Sequence, residues 1–495
     1  MFRKLSGAFV ILASVLWSAQ WLKGSDPNLK PQFHTSDRCF ACHNELTTPN
    51  GQDFSIGLAW RSSIMANSAR DPYWQASVRR ETVDHPQAVA DIEDECSVCH
   101  MPVSRYQAKV KGQKGAIFAH LPFDPDNKES AAAEDGVTCS ICHQISKEKL
   151  GTKESFNGGF VVEAPRAKNE RPEYGPFAVP PDRQHIMNTS TGGFQPVQAA
   201  HIRDSALCGT CHQLYTTAHG KQGKPNGSLP EQMPYLEWLH SDYPSKYSCQ
   251  GCHMPEVAEQ VQVSSVLGLP RTGMHQHVFV GGNFLLQQML NRYRDELSVA
   301  ALPQELTTAS EGTLRFLQSQ SAQVELRDVV VSGGRLKPDG SIVGNDNDAD
   351  PSLFEPHYRQ ITEPGQVQIY ESILKDEEGH VTTGLLAATG YLKDNRLIPT
   401  GFDKSSAEKD IAVVGDAADD PKFSAGEDAV SYSVPVSETE GPFHISVELL
   451  YQPIGFRWAH NLEPYSAMEP QRFVRYYDSM SSAASTVLAR SEATR

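Results

Sequence analysis

Residues 39–43 read CFACH, and the same frame returns as CSVCH at 96–100, CSICH at 139–143, CGTCH at 208–212 and CQGCH at 249–253. These five strings use every cysteine of the 495-residue chain: Cys39, Cys42, Cys96, Cys99, Cys139, Cys142, Cys208, Cys211, Cys249 and Cys252. Each second cysteine is followed directly by histidine, namely His43, His100, His143, His212 and His253. A disulfide framework gives no reason for that histidine. With 18 histidines in 495 residues, five such coincidences have a chance on the order of 10⁻⁷. Structural zinc fits poorly as well. Five pairs is an odd number, and successive motifs begin 57, 43, 69 and 41 residues apart, far beyond zinc-ribbon spacing.

Thiols at i and i+3, on neighbouring turns of a short helix, can form thioethers with both vinyl groups of one porphyrin. The adjoining histidine then lies under the iron. The pattern therefore predicts five covalently attached haem c groups, with the ten cysteines as attachment points and the five motif histidines as proximal ligands. What the chain can do then depends on the far side of each iron. Distal imidazoles would close every site for electron transfer, whereas a missing one would leave an iron open to substrate. The candidate distal ligands are His185 and His201 in "RQHIMNTSTGGFQPVQAAHIRD", His240 in "YLEWLHSDYPSKYSCQGCH" and His277 in "GMHQHVFVGGN". Met65 in "WRSSIMANSARDPYW" is the methionine candidate, on an amphipathic helix expected from Ala59 to Asp71. The plain alternative is a hydrogen-bonded histidine for each of the four, and a core side chain for Met65.

The net charge of −16 and a pI near 5.6 argue against a nucleic-acid-binding surface. Residues 1–24 carry Arg3 and Lys4 ahead of an almost uncharged stretch from Leu5 to Leu22, the pattern of a signal peptide or an N-terminal membrane anchor. Either form implies export, to the periplasm, the outer face of the inner membrane or the cell surface. That agrees with covalent haem attachment.

The remaining organisation follows from periodicity. A mainly α and irregular haem domain is expected over 25–283, then a helical connector over 284–321 containing "NFLLQQMLNRYRDELSV" and "ELTTASEGTLRFLQSQ". From 322 to 465 the period changes to two in "AQVELRDVVV", "GQVQIYESIL", "AVSYSVPV" and "PFHISVELLY", which predicts an antiparallel β-sandwich. A C-terminal helix and tail are expected over 466–495. Asp346, Asp348 and Asp350 alternate as in a calcium loop, but Pro351 stands where an EF-hand needs glycine, so an acidic turn is the better reading.

"DGVTCSICHQI", "LCGTCHQLYTT", "YLEWLHSDY" and "CQGCHMP" resemble the multihaem cytochrome c superfamily over roughly residues 35–285. That superfamily includes hydroxylamine oxidoreductase, the tetrahaem cytochrome that accepts its electrons, and pentahaem nitrite reductase. The resemblance implies stacked haems forming a conducting chain. Two departures stand out. All five motifs here end in histidine, whereas the nitrite reductases carry one ending in lysine at the catalytic haem. Several relatives also place a distal histidine where this chain has Met65. The resulting expectation is an envelope electron carrier working with redox partner proteins or a membrane-bound respiratory complex. The alternative is a multihaem oxidoreductase acting on a small nitrogen or sulfur compound at one open haem.

Overall fold

The computed structural model describes residues 32–124, 126–127, 130–166, 170–220, 223–327, 350, 352–436 and 441–495. The segment 1–24, most of the acidic run at 346–351 and the end of "AQVELRDVVV" lie outside them. Among the described residues no helix is long and apolar enough to cross a membrane.

The cysteine-bearing half is built from short helices joined by turns, and local capping explains where they begin. Asp71 accepts from the backbone N–H groups of Tyr73 and Trp74 to start Pro72–Asp84. Thr138, Asp204 and Ser248 do the same for Cys139–Cys142, Ser205–His212 and Cys249–His253. Among the described residues three small sheets interrupt them, the smallest pairing Val261–Gln262 with Pro270–Arg271. Arg171–Gly175 pairs in parallel with Phe194–Gln198, and Leu214–His219 forms an antiparallel hairpin with Pro225–Gln232.

The helix expected over Ala59–Asp71 stops early. Ile56–Arg61 is helical, and the chain then breaks into turns. Polar side chains take over the backbone bonds there: Asn67 Nδ2 donates to the carbonyls of Arg61 and Ser63, and Ser63 Oγ accepts from Ala66 N–H.

The two connector helices form, at Phe284–Arg292 and Pro303–Gln320. They do not stand apart. Phe284, Leu285, Leu290, Leu306 and Leu317 share one core with Phe473, Tyr476 and Tyr477 of the C-terminal helix Met468–Met480 and with Ala76 of Pro72–Asp84. Arg79 reinforces this packing with a two-bond fork onto buried Glu469, at 2.9 Å for each bond.

The region 322–465 departs from the expected sandwich. Its described strands form a three-stranded sheet (Ser372–Lys375 between Val381–Thr382 and Gly390–Asp394) and a short parallel pair, Gln360–Ile361 with Ser431–Tyr432. The reason lies in buried polar side chains that capture backbone groups a ladder would otherwise use. Lys393 Nζ donates to the carbonyls of Glu355 and Ile369, and Asn395 Oδ1 accepts from Glu371 N–H. The alternating run at 443–451 does form a strand, His444–Tyr451, but its antiparallel partner is Thr486–Thr494. The C-terminal helix expected within 466–495 therefore ends at Met480, and the rest of that stretch supplies a strand. "TVLARSEAT" itself alternates, and it satisfies its backbone against the 444–451 strand.

Candidate haem-attachment sites

Every motif lies on a helical turn, so each cysteine pair projects from one side of it. All ten cysteines are free thiols and half-buried. A zinc cluster needs four donors converging on one point. Among the described residues, the one grouping of three or more metal-type donors is His357, Asp420 and Asp428, far along the chain from every motif. That grouping is a closed hydrogen-bond network. Gln368 Nε2 and Asn395 Nδ2 point at His357 Nδ1, at 2.8 and 3.1 Å, which leaves the ring proton on Nε2 facing Asp420 at 3.4 Å.

The motif histidines share a geometry that sequence could not reveal. His43 Nδ1 lies 2.6 Å from the Val263 carbonyl, His100 Nδ1 3.0 Å from that of Ser68, His143 Nδ1 2.6 Å from that of Tyr174, and His253 Nδ1 2.7 Å from that of Val280. A carbonyl oxygen only accepts, so Nδ1 carries the proton in each ring. Nε2 is left as a bare lone pair in a fixed direction, the tautomer and orientation of a metal-binding imidazole. His100 is further held by Trp74, stacked at 4.3 Å with planes 4° apart. His212 keeps an accessible ring, yet the protein around it pushes its pKa down by desolvation. Burial likewise pushes His100 down to about 4, and His43 and His143 below the usual imidazole range, so these rings stay neutral at ordinary pH. Free thiols paired at i, i+3 beside neutral, oriented imidazoles fit a covalently held haem.

The distal candidates separate sharply. His277 faces His143 with ring centres 6.3 Å apart and planes 21° apart, and its Nδ1 lies 3.1 Å from the His275 carbonyl. Its Nε2 is therefore free as well. Two imidazoles bound to one metal from opposite sides have ring centres about 6 Å apart, given metal–nitrogen bonds of about 2 Å. Burial, reinforced by the nearby His143, pushes the His277 pKa down to about 3. His201 and His240 instead turn Nε2 to the carbonyls of Ile145 and Asp403, each at 2.9 Å. His185 is exposed on the helix Pro181–Thr191. Met65 is half-buried, and its carbonyl accepts from Val137 N–H just ahead of the third motif.

Sequence reasoning missed the carbonyls that orient the motif rings. It also missed Ser36 and Ser205, which join pairs of motifs. Carbonyl placement leaves no mark on side-chain identity, and serine is too common to stand out.

No family model matches the chain, and no curated protein matches it. Among solved structures, a pentahaem cytochrome c552 from Thermochromatium tepidum is similar at 14% identity, over 94% of this chain and 99% of that one, with a TM-score of 0.36. A likeness of that depth leaves the functional reading to the residues themselves.

Proposed function

We propose that the chain is a pentahaem c-type cytochrome that carries electrons in the cell envelope, exported by its N-terminal segment and serving redox partner proteins or a membrane-bound respiratory complex. Bound haem would supply a one-electron site at each iron, with a potential set by its axial ligands and surroundings. The observation that carries the reading is the shared tautomer. Four motif histidines give their Nδ1 proton to a backbone carbonyl and leave Nε2 bare beside a free cysteine pair. The carbonyls hold the rings still, so little rearrangement of protein accompanies a change of charge. The facing pair His143 and His277 supports a closed, two-imidazole iron at the third motif.

Electron paramagnetic resonance of the oxidised protein, calibrated to the haem content, tests the reading. Low-spin signals that survive addition of nitrite, hydroxylamine or sulfite are expected of a carrier. A high-spin signal that shifts with one of these ligands would move the protein to the oxidoreductase class.

A further inference from the structure

Contacts among the five attachment sites do not simply follow chain order. Ser36 joins the first site to the third: its carbonyl accepts from Cys39 N–H at 2.9 Å, and its Oγ accepts from Cys139 N–H at 3.2 Å. Ser205 opens the helix of the fourth site, and its Oγ accepts from Cys249 N–H of the fifth at 2.9 Å. The second site meets the fourth, since Cys99 Sγ lies 3.9 Å from the Cys211 carbonyl. Gly158, bonded to the Thr210 carbonyl at 2.6 Å, packs on Val98 beside Cys99. Finally, the third site adjoins the fourth through His201: its Nε2 lies 2.9 Å from the Ile145 carbonyl just past His143, and its own carbonyl accepts at 3.0 Å from the N–H of Asp204, which caps the fourth-site helix.

We propose that the sites are wired in the order first, third, fourth, with the second and the fifth both branching from the fourth. This rests on the haem reading above and extends it. Exposure assigns the ends. The first-site helix Asp37–His43 has no buried residue, and in the fifth-site helix Cys249–His253 only Gln250 is buried. The second site is enclosed: Ser97 and Val98 are buried, and Trp74 covers His100. The through route therefore runs from the first site to the fifth, each reaching the surface, and the second is a closed side branch at the fourth-site junction.

The test deletes single sites in the full-length protein and reads the remaining midpoint potentials. A haem's charge acts most strongly on its nearest neighbours, because Coulomb interaction falls with distance. Removing the second site (Cys96→Ala with Cys99→Ala) is expected to move one remaining potential appreciably. Removing the fourth (Cys208→Ala with Cys211→Ala) is expected to move three. Wiring in chain order would instead move two potentials in each case, and that result would overturn the proposal. Spin coupling in the unmodified protein gives the same answer without any variant. One iron coupled to three neighbours is expected, and none coupled to more than two would refute the branch. Intact mass separates this from failure of the haem reading, since each variant must lose one haem from a parent that carries five.

Discussion

Replacing His277 with alanine probes the site whose geometry is best defined. The His143 and His277 ring centres lie 6.3 Å apart, a separation that matches two imidazoles bound to one metal from opposite sides. His143 would remain, oriented by the Tyr174 carbonyl at 2.6 Å, but with nothing opposite it. One of five irons would then lose its sixth ligand, so about a fifth of the low-spin intensity should become high-spin. His277→Met is the companion variant. It should stay low-spin while one midpoint potential rises, because a thioether ligand raises the potential relative to imidazole. The assay is quantitative paramagnetic resonance on protein whose haem content has been fixed by mass. A full low-spin complement in His277→Ala would refute the reasoning, and it would assign the close approach of the two rings to packing alone.

Other consequences concern how the parts hold together. Ser205→Ala leaves the Cys249 N–H without its acceptor at the joint of the fourth and fifth sites, and should cost about 1–3 kcal/mol in chemical denaturation. Arg79→Ala strands the buried Glu469 carboxylate and should cost about 3 kcal/mol, with the C-terminal helix becoming protease-sensitive before the haem region. Burial pushes the Asp135 carboxyl up to about 7, even though Ser36 N–H and Oγ both donate to its Oδ2 at 2.8 Å. Its folded pKa exceeds the unfolded value, so its contribution to stability is complete below about pH 4 and is lost as pH rises towards 7. Asp135→Asn keeps an acceptor for Ser36 and should flatten that decline. At pH 8 the variant should be the more stable by about 2–4 kcal/mol in parallel denaturation curves.

The five motifs were legible because the chemistry proposed for them demands particular residues at fixed offsets: two thiols one helical turn apart and an imidazole beside the second. The connector helices were legible for a similar reason, since their apolar residues recur at helical spacing in "NFLLQQML" and "TLRFLQ". The 322–465 region was not. Its alternation of apolar and polar residues is real, but Lys393, Asn395 and Gln366 divert backbone groups away from a ladder, and one-dimensional periodicity does not register such captures. The strand at 486–494 was hidden because its partner lies 42 residues earlier, at Glu448 for Arg490, with a complete helix between them. Among the distal candidates, sequence named His277 together with three other histidines. Only the third dimension shows which of them faces a motif ring.

The central claim is five haems on one chain, and intact mass spectrometry of the purified protein, paired with a haem assay, tests it most directly. The account predicts a mass increased by five covalently bound haems and no alkylatable thiol among the ten cysteines. Fewer than five haems, or a haem-free chain with reactive thiols or bound zinc, would contradict it.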